Sequence, residues 1–390
     1  MRMLMVIQLV VCVLLCVICS QVSFAQEQRS DSSEREAPTR RRRYRPLISP
    51  EVHPDRTVTF RLRAPNAQKV ALVGGFADAL GGASAELTKG ENDIWSAKFG
   101  PIEPGIYNYL FDVDGALFPD PVNDKLKLWS NGVSSVVEIL GDKPSFYDNK
   151  DVPHGMVHIN WYESKVLGAK RRMHVYTPPG YGSGKKYPVL YLLHGMGDLD
   201  EGWLNNGRAN FIMDNLLVEG RIEPMIVVMP YGHARFADES LQKADSRGRG
   251  AFGADLLQVV IPHIEKHYDA LKERENRAIA GLSMGGDQAL GIGLNNLDHF
   301  AWIGAFSSAI FSEPKESFAE IFKDPEKTNR QLKMLWIACG EEDELLSGSE
   351  KLIEALKESN IKHTYLVTEG AHTWKLWRVY LYEMTPLLFK

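Results

Sequence analysis

Short apolar runs alternate with amphipathic segments through the second half of the chain, and this alternation limits the possible folds more than any other feature. Between the runs lie stretches with apolar residues at helical spacing, such as residues 208–219 and 255–268. The strand-like runs lie at residues 156–162, 172–176, 187–193, 226–229, 278–280, 302–306, 334–338 and 365–367. Strands that alternate with helices form a mostly parallel sheet covered by helices on both faces. The sequence therefore predicts an α/β three-layer sandwich over residues 150–390.

One of these strands ends in Gly281-Leu-Ser283-Met-Gly285-Gly286, and a helix begins directly after it. A serine at such a turn has a strained backbone, and its neighbours must be small so that the chain can fold back closely. Its hydroxyl is then exposed above the sheet, and the backbone N–H of Met284 points toward the same space. This context predicts that Ser283 is a nucleophile in an α/β-hydrolase fold and that Met284 supplies half of an oxyanion hole.

A serine nucleophile needs a base, which in this fold follows the serine and an acid in chain order. Three histidines follow Ser283. His299 comes too early, just before the next strand, and His363 lies at the start of a strand, where a structural role is expected. His372 follows the last strand in a short loop before the final helix, so we predict that His372 is the general base.

The acid is expected in the loop after the preceding strand, which reads Gly340-Glu341-Glu342-Asp343-Glu344. The turn at Gly340 should leave the first acids exposed and the third turned inward. We predict that Asp343 orients the histidine and stabilises its imidazolium, with Glu342 as the alternative.

The second oxyanion donor is expected from the loop after an earlier central strand, which reads Leu193-His-Gly-Met-Gly-Asp198. Glycines allow the backbone to turn an N–H inward, and we predict that this N–H belongs to Met196 or Gly195. We interpret His194 as a structural residue behind that loop.

Three further residues are candidates for substrate contact. Trp203 and Arg208 follow the oxyanion loop, where core packing and an ion pair would explain them equally well. Trp374 is close enough to His372 to line a pocket. His263 and His267 are spaced like a metal-binding pair, but we interpret them as a solvated helix face, and the sequence predicts no metal or organic cofactor.

The first 25 residues have the features of a secretory signal peptide. Arg2 precedes an apolar run from Val6 to Ile18, and small residues occupy the positions before a cleavage site after Ala25. The run is shorter than the roughly 20 residues that span a bilayer, which disfavours a membrane anchor. We therefore predict a secreted or periplasmic protein with no membrane segment after cleavage.

Residues 26–43 are polar and charged, and they predict a disordered linker. Of the four cysteines, only Cys339 lies outside the signal peptide, so the mature chain can form no internal disulfide. The net charge of −5 gives no reason to expect a nucleic-acid partner.

Residues 44–145 predict a small all-β domain. Residues 58–62 alternate strictly, Tyr107, Tyr109, Phe111 and Val113 form one face of another strand, and that strand ends in the hairpin signal Asp114-Gly115. Turn residues recur about every ten positions, which is typical of an immunoglobulin-like β-sandwich.

Residues 150–390 resemble carbohydrate esterase family 1, which includes feruloyl esterases and acetylxylan esterases. The resemblance rests on six blocks in the family's order: Leu193-His-Gly-Met-Gly-Asp198, Gly207-Arg-Ala-Asn210, Met225-Ile-Val-Val-Met-Pro230, Gly281-Leu-Ser-Met-Gly-Gly286, Cys339-Gly-Glu-Glu-Asp343 and His372-Thr-Trp374. It implies that the nucleophile, acid and base are Ser283, Asp343 and His372.

The first domain resembles carbohydrate-binding family 48, through residues 58–62, 64–67, 74–76, Trp95, 104–109 and 113–115. The aromatic pair that binds starch in some members is not evident, and the domain could instead shape one wall of the cleft. Trp129 is its best candidate for reaching the substrate, although a place in the domain interface would also explain it.

The resemblance implies a serine esterase that removes feruloyl or acetyl groups from plant cell-wall xylan or its oligosaccharides. The alternatives are a siderophore esterase or acyltransferase of the same fold, and a glycan-binding protein whose hydrolase domain is inactive. The sequence does not predict an oligomeric state.

Overall fold

The computed structural model describes residues 47–236 and 249–390, and the first ten strands of this part lie between Glu51 and Ile139. They form two antiparallel sheets with strand orders β1-β2-β6-β5 and β4-β3-β7-β10-β9, and β8 pairs with β7. Their bounds are β1 Glu51–Val52, β2 Val58–Arg63, β3 Val70–Val73, β4 Ser84–Glu86, β5 Thr88–Lys89, β6 Ile94–Phe99, β7 Gly105–Val113, β8 Ala116–Phe118, β9 Leu126–Trp129 and β10 Gly132–Ile139. A short helix, α1, spans Gly75–Asp78, and a 3-10 turn spans Glu91–Asp93.

Aromatic side chains fill the space between these two sheets. The ring of Phe60 lies edge-to-face with Phe76 at 4.7 Å and with Tyr109 at 4.8 Å between centroids, and all three side chains are fully buried. The all-β sandwich predicted from the alternating pattern is therefore present.

Eight further strands form one sheet in the order β11-β12-β14-β13-β15-β16-β17-β18. The first three strands in this order pair antiparallel, and the remaining neighbours pair parallel. Their bounds are β11 Met156–Ser164, β12 Ala169–Thr177, β13 Val189–Leu193, β14 Ile226–Pro230, β15 Arg277–Leu282, β16 Trp302–Phe306, β17 Met334–Gly340 and β18 Thr364–Thr368.

Helices cover both faces of this sheet and enclose two separate apolar cores. Their bounds are α2 Gly202–Asn205, α3 Ala209–Val218, α4 Arg249–Asp255, α5 Ile261–His267, α6 Met284–Leu294, α7 Pro314–Ser317, α8 Ala319–Lys323, α9 Pro325–Gln331, α10 Leu346–Glu358 and α11 Trp374–Met384. A π-helical turn at Leu256–Val260 joins α4 to α5, and 3-10 turns span Arg274–Asn276 and Thr385–Leu387. This is the predicted α/β-hydrolase sandwich.

Residues 48–390 form one compact unit, as judged by the contacts within the chain. The predicted signal peptide and linker lie outside the described residues. Within residues 47–236 and 249–390, no helix combines the length and apolar character needed to cross a bilayer.

Candidate active site

Ser283 stands at the turn between β15 and α6, with φ 53° and ψ −117°. The adjacent glycines make this turn possible because the backbone passes too close for a side chain. A Cβ on Gly281 would lie 2.4 Å from the carbonyl oxygen of Gly285, and one on Gly285 would lie 2.5 Å from the carbonyl oxygen of His194. The sequence motif therefore encodes a half-buried serine on a strained turn.

His372 and Asp343 meet at the carboxyl end of the same sheet. Nδ1 of His372 lies 2.9 Å from Oδ2 of Asp343, and the Asp343 residue is only 5% exposed. Glu342, the alternative acid, is exposed. The structure thus brings together the histidine and carboxylate that were chosen from the sequence.

The environment of Asp343 favours its charged form. Burial raises the pKa of Asp343, but hydrogen bonds from His372 and from the backbone N–H of Leu345 outweigh it and hold the pKa below its ordinary value. An ionised carboxylate fixes the histidine with Nδ1 protonated and leaves Nε2 free to accept a proton.

The loop after β13 makes a tight turn at residues 195–198 beside the serine. The N–H of Asp198 donates to the carbonyl of Gly195 at 3.2 Å, and Gly197 has a φ of +84°. A Cβ added to Gly195 would lie 3.4 Å from the Cβ of Ser283. The turn therefore lies against Ser283, at the place where the sequence predicts an oxyanion donor.

His194 lies behind this turn and holds it from the core side. Its Nδ1 lies 2.9 Å from the carbonyl oxygen of Gly195, and its Nε2 accepts a hydrogen bond from the N–H of Gly232 at 2.8 Å. The first contact requires a proton on Nδ1 and the second requires none on Nε2, so the ring is neutral. Because the carbonyl of Gly195 and the N–H of Met196 belong to one peptide, this contact also directs the Met196 N–H.

A cavity of about 980 Å³ opens over Ser283 and His372. Both domains form its walls. Its lining includes Met196, Trp374 and Trp377 from the α/β domain and Tyr107, Lys127 and Trp129 from the β-sandwich. Within the described part of the chain, no cluster of three or more metal-binding side chains occurs.

Two of the four residues proposed for substrate contact lie in this cavity, Trp374 and Trp129. Both are half-buried. Trp129 donates from its indole nitrogen to the hydroxyl of Ser134 at 3.0 Å, so the ring is fixed by its own hairpin.

The other two residues lie elsewhere. Trp203 is 1% exposed, and its indole nitrogen donates to the carbonyl of Leu193 at 2.9 Å, so it belongs to the core and cannot contact a substrate. The Trp203 ring packs edge-to-face against the ring of Trp374, with 5.1 Å between the centroids. Arg208 forms an ion pair with Glu138 of β10 at 2.9 Å, which links the two domains, and it does not line the cavity.

Sequence reasoning assigned no role to Lys127, which the structure places in the cavity wall. It forms a buried ion pair with Asp198 at 2.9 Å. Residues 126–129 alternate, with a lysine between two leucines. This pattern alone predicts that the lysine faces the solvent. In the structure both leucines are exposed and Lys127 is buried.

Two family models match successive parts of the chain. A putative esterase family matches residues 164–388, and carbohydrate-binding module 48, the isoamylase N-terminal domain, matches residues 49–130. The esterase match covers more than half of the chain.

Several known proteins resemble this one. An endo-1,4-beta-xylanase/feruloyl esterase from Xylanibacter ruminicola is 35% identical over 87% of this chain and 46% of that protein, so the chain spans less than half of the relative's length. A ferulic acid esterase from Anaeromyces mucronatus, solved with ferulic acid, is 29% identical, with a TM-score of 0.55 over 63% of this chain and 96% of that one.

A third neighbour covers both domains. The enterobactin esterase from Shigella flexneri has a TM-score of 0.61 over 85% of this chain and 92% of that one, at 16% identity, which shows a shared fold only. The esterase match shows that the chain belongs to the putative esterase family, and a carbohydrate-binding module 48 precedes its esterase domain.

Proposed function

We propose that this chain hydrolyses feruloyl esters on xylan or on xylan oligosaccharides through an acyl-enzyme on Ser283. The observation that carries the proposal is that His372, which is paired with the buried Asp343, lines the same cavity as Ser283 at the end of the sheet. The feruloyl esterase relatives support the choice of acyl group. The cavity also supports it, because 980 Å³ with indole walls is far more than an acetyl group needs.

The proposed reaction begins when Nε2 of His372 takes the proton of the Ser283 hydroxyl and the serine oxygen attacks the ester carbonyl. The negative oxygen that forms is stabilised by the N–H of Met284 and by an N–H of the turn at Gly195 and Met196. His372 then returns the proton to the departing sugar oxygen. Water attacks the acyl-enzyme by the same route and releases the acid.

The remaining parts of the assignment are also proposals. We propose that residues 1–25 direct export and that the partner is a plant polysaccharide. The β-sandwich supports a carbohydrate partner by its family, and the xylanase-linked relative supports xylan in particular.

The test compares initial rates on methyl ferulate, on acetylated xylan and on a cyclic catechol ester for the wild type, Ser283→Ala and Ser312→Ala. Ser312 is an exposed serine outside the cavity and serves as the matched control. We expect ferulate release by the wild type and Ser312→Ala and none above background for Ser283→Ala. Serine-dependent release of acetate alone would replace the feruloyl assignment with an acetyl esterase. Release from a cyclic catechol ester alone would favour the siderophore hypothesis.

A further inference from the structure

The β9–β10 hairpin of the β-sandwich contacts the turn at residues 195–198 directly. The N–H of Ser130 donates to the carbonyl of Gly197 at 2.7 Å. The ring of Trp129 covers the same glycine, because a Cβ on Gly197 would lie 3.9 Å from it. One domain therefore holds a catalytic loop of the other.

A buried ion pair strengthens this contact. Nζ of Lys127 lies 2.9 Å from Oδ1 of Asp198, and the two side chains are 3% and 5% exposed. The ammonium also lies 3.3 Å from the ring centroid of Trp129 and 5.5 Å from that of Trp374. The ammonium thus lies against two of the three indoles that line the cavity.

Asp198 connects this pair to the nucleophile. Its N–H closes the turn on the carbonyl of Gly195, and its carboxylate packs behind Gly195, 3.6 Å from where a Cβ would stand. Gly195 in turn lies against Ser283. A movement of the Asp198 carboxylate therefore moves the peptide that faces the serine.

Burial by itself does not stabilise an ion pair such as that of Lys127 and Asp198. Removing an ammonium from water lowers the pKa of Lys127, and the carboxylate of Asp198 opposes that shift. An apolar pair of similar volume would serve stability as well or better. A buried pair that joins two domains beside a reacting serine therefore suggests a role in geometry.

We propose that Lys127 is a positioning residue for the reaction at Ser283, because its ion pair with Asp198 fixes the turn at residues 195–198 in the orientation that receives the oxyanion. This inference rests on the proposed serine mechanism. It does not depend on which ester is the natural substrate. It makes the β-sandwich necessary for the chemical step even on a substrate too small to touch a sugar-binding surface.

The test uses the full mature chain in four forms: wild type, Lys127→Met, the double variant Lys127→Met/Asp198→Asn, and Lys125→Met. Lys125 lies on the same hairpin with its side chain 62% exposed, and it lies outside the cavity. The double variant removes the pair without leaving an unpaired charge, so it separates positioning from folding. Each form is measured for its melting temperature, for kcat and KM on methyl ferulate, and for the rate at which a fluorophosphonate labels Ser283.

In the labelling reaction the serine oxygen displaces fluoride from phosphorus while His372 takes the hydroxyl proton, and the phosphoryl oxygen occupies the oxyanion site. It therefore reports on the turn even if methyl ferulate is not a substrate. We expect the double variant to melt near the wild type, yet to lose about a hundredfold in kcat and in labelling rate, because a small misplacement of a reacting group costs that much. KM should change less than kcat, and Lys125→Met should match the wild type.

A double variant with wild-type melting temperature, kcat and labelling rate would overturn the positioning role. So would a loss that appears only in KM, because that would make Lys127 a binding residue. If the wild type neither cleaves methyl ferulate nor labels at Ser283, the serine mechanism itself fails. If the wild type labels but does not cleave methyl ferulate, only the feruloyl assignment fails, and the labelling rates still decide the role of Lys127.

Discussion

The buried His194 should lower the free energy of unfolding as the pH falls from 7 to 5, because its ring is protonated in that range only in the unfolded chain. Burial lowers the pKa of His194 from its ordinary value of 6.5 to about 4. A proton on Nε2 would also abolish the hydrogen bond that this nitrogen accepts from the N–H of Gly232. The folded ring therefore stays neutral at pH 5, whereas the unfolded ring is charged.

The sign follows from proton binding. Between about pH 4 and pH 6.5 the unfolded chain binds more protons at this site than the folded chain, so the free energy of unfolding rises with pH across that window. The two pKa values give a loss of about 2 kcal/mol from this one ring when the pH falls from 7 to 5.

The assay is urea unfolding at pH 7, 6 and 5 for the wild type, His194→Asn and His299→Asn. The first variant removes the titrating ring, so its destabilisation relative to the wild type should shrink by about 2 kcal/mol between pH 7 and pH 5. His299 has a partly exposed side chain, and its variant should follow the wild type at each pH. An equal destabilisation by His194→Asn at pH 7 and pH 5 would refute the neutral, buried ring.

Four further substitutions test the site. Asp343→Asn should lower kcat by about 10⁴-fold with little change in KM, whereas Glu342→Gln should leave steady-state rates unchanged. A large loss of kcat in Glu342→Gln and none in Asp343→Asn would move the acid to Glu342. Gly286→Ala should lower both melting temperature and kcat, because its Cβ would lie 2.5 Å from the hydroxyl of Ser308; an unchanged melting curve would contradict this packing. Trp203→Phe should lower the free energy of unfolding in urea by about 1 kcal/mol, because one hydrogen bond is lost. KM for methyl ferulate should not change. A raised KM with unaltered stability would restore the role of Trp203 as a substrate contact.

The features that local sequence determines could be predicted. The turn at Ser283 needs glycines within a few residues of the serine, so its geometry is written in one short segment. The inward turn of Asp343 likewise depends on the adjacent Gly340 and on a backbone hydrogen bond from Leu345. Both were therefore visible before the fold was known.

The features that depend on contact between distant segments could not be predicted. Trp203 and Trp374 both lie in the first turn of a helix, and only the packing of α2 against α11 buries the first and exposes the second to the cavity. Lys127 is 71 residues from Asp198 in the chain (198 − 127). No periodicity within a strand indicates that a lysine will meet a carboxylate of another domain.

Because both domains form the wall of the cavity, neither domain of this protein is an independent unit of recombination. A recombination that joined this esterase domain to a different β-sandwich would keep Ser283 and His372 but would lose the hairpin that braces the turn at residues 195–198. Exchange of the two domains is therefore constrained at the level of single contacts, and sequence changes at Lys127 and Asp198 should occur together. The boundary between the two matched families, at residues 49–130 and 164–388, therefore does not separate two segments that can be exchanged independently.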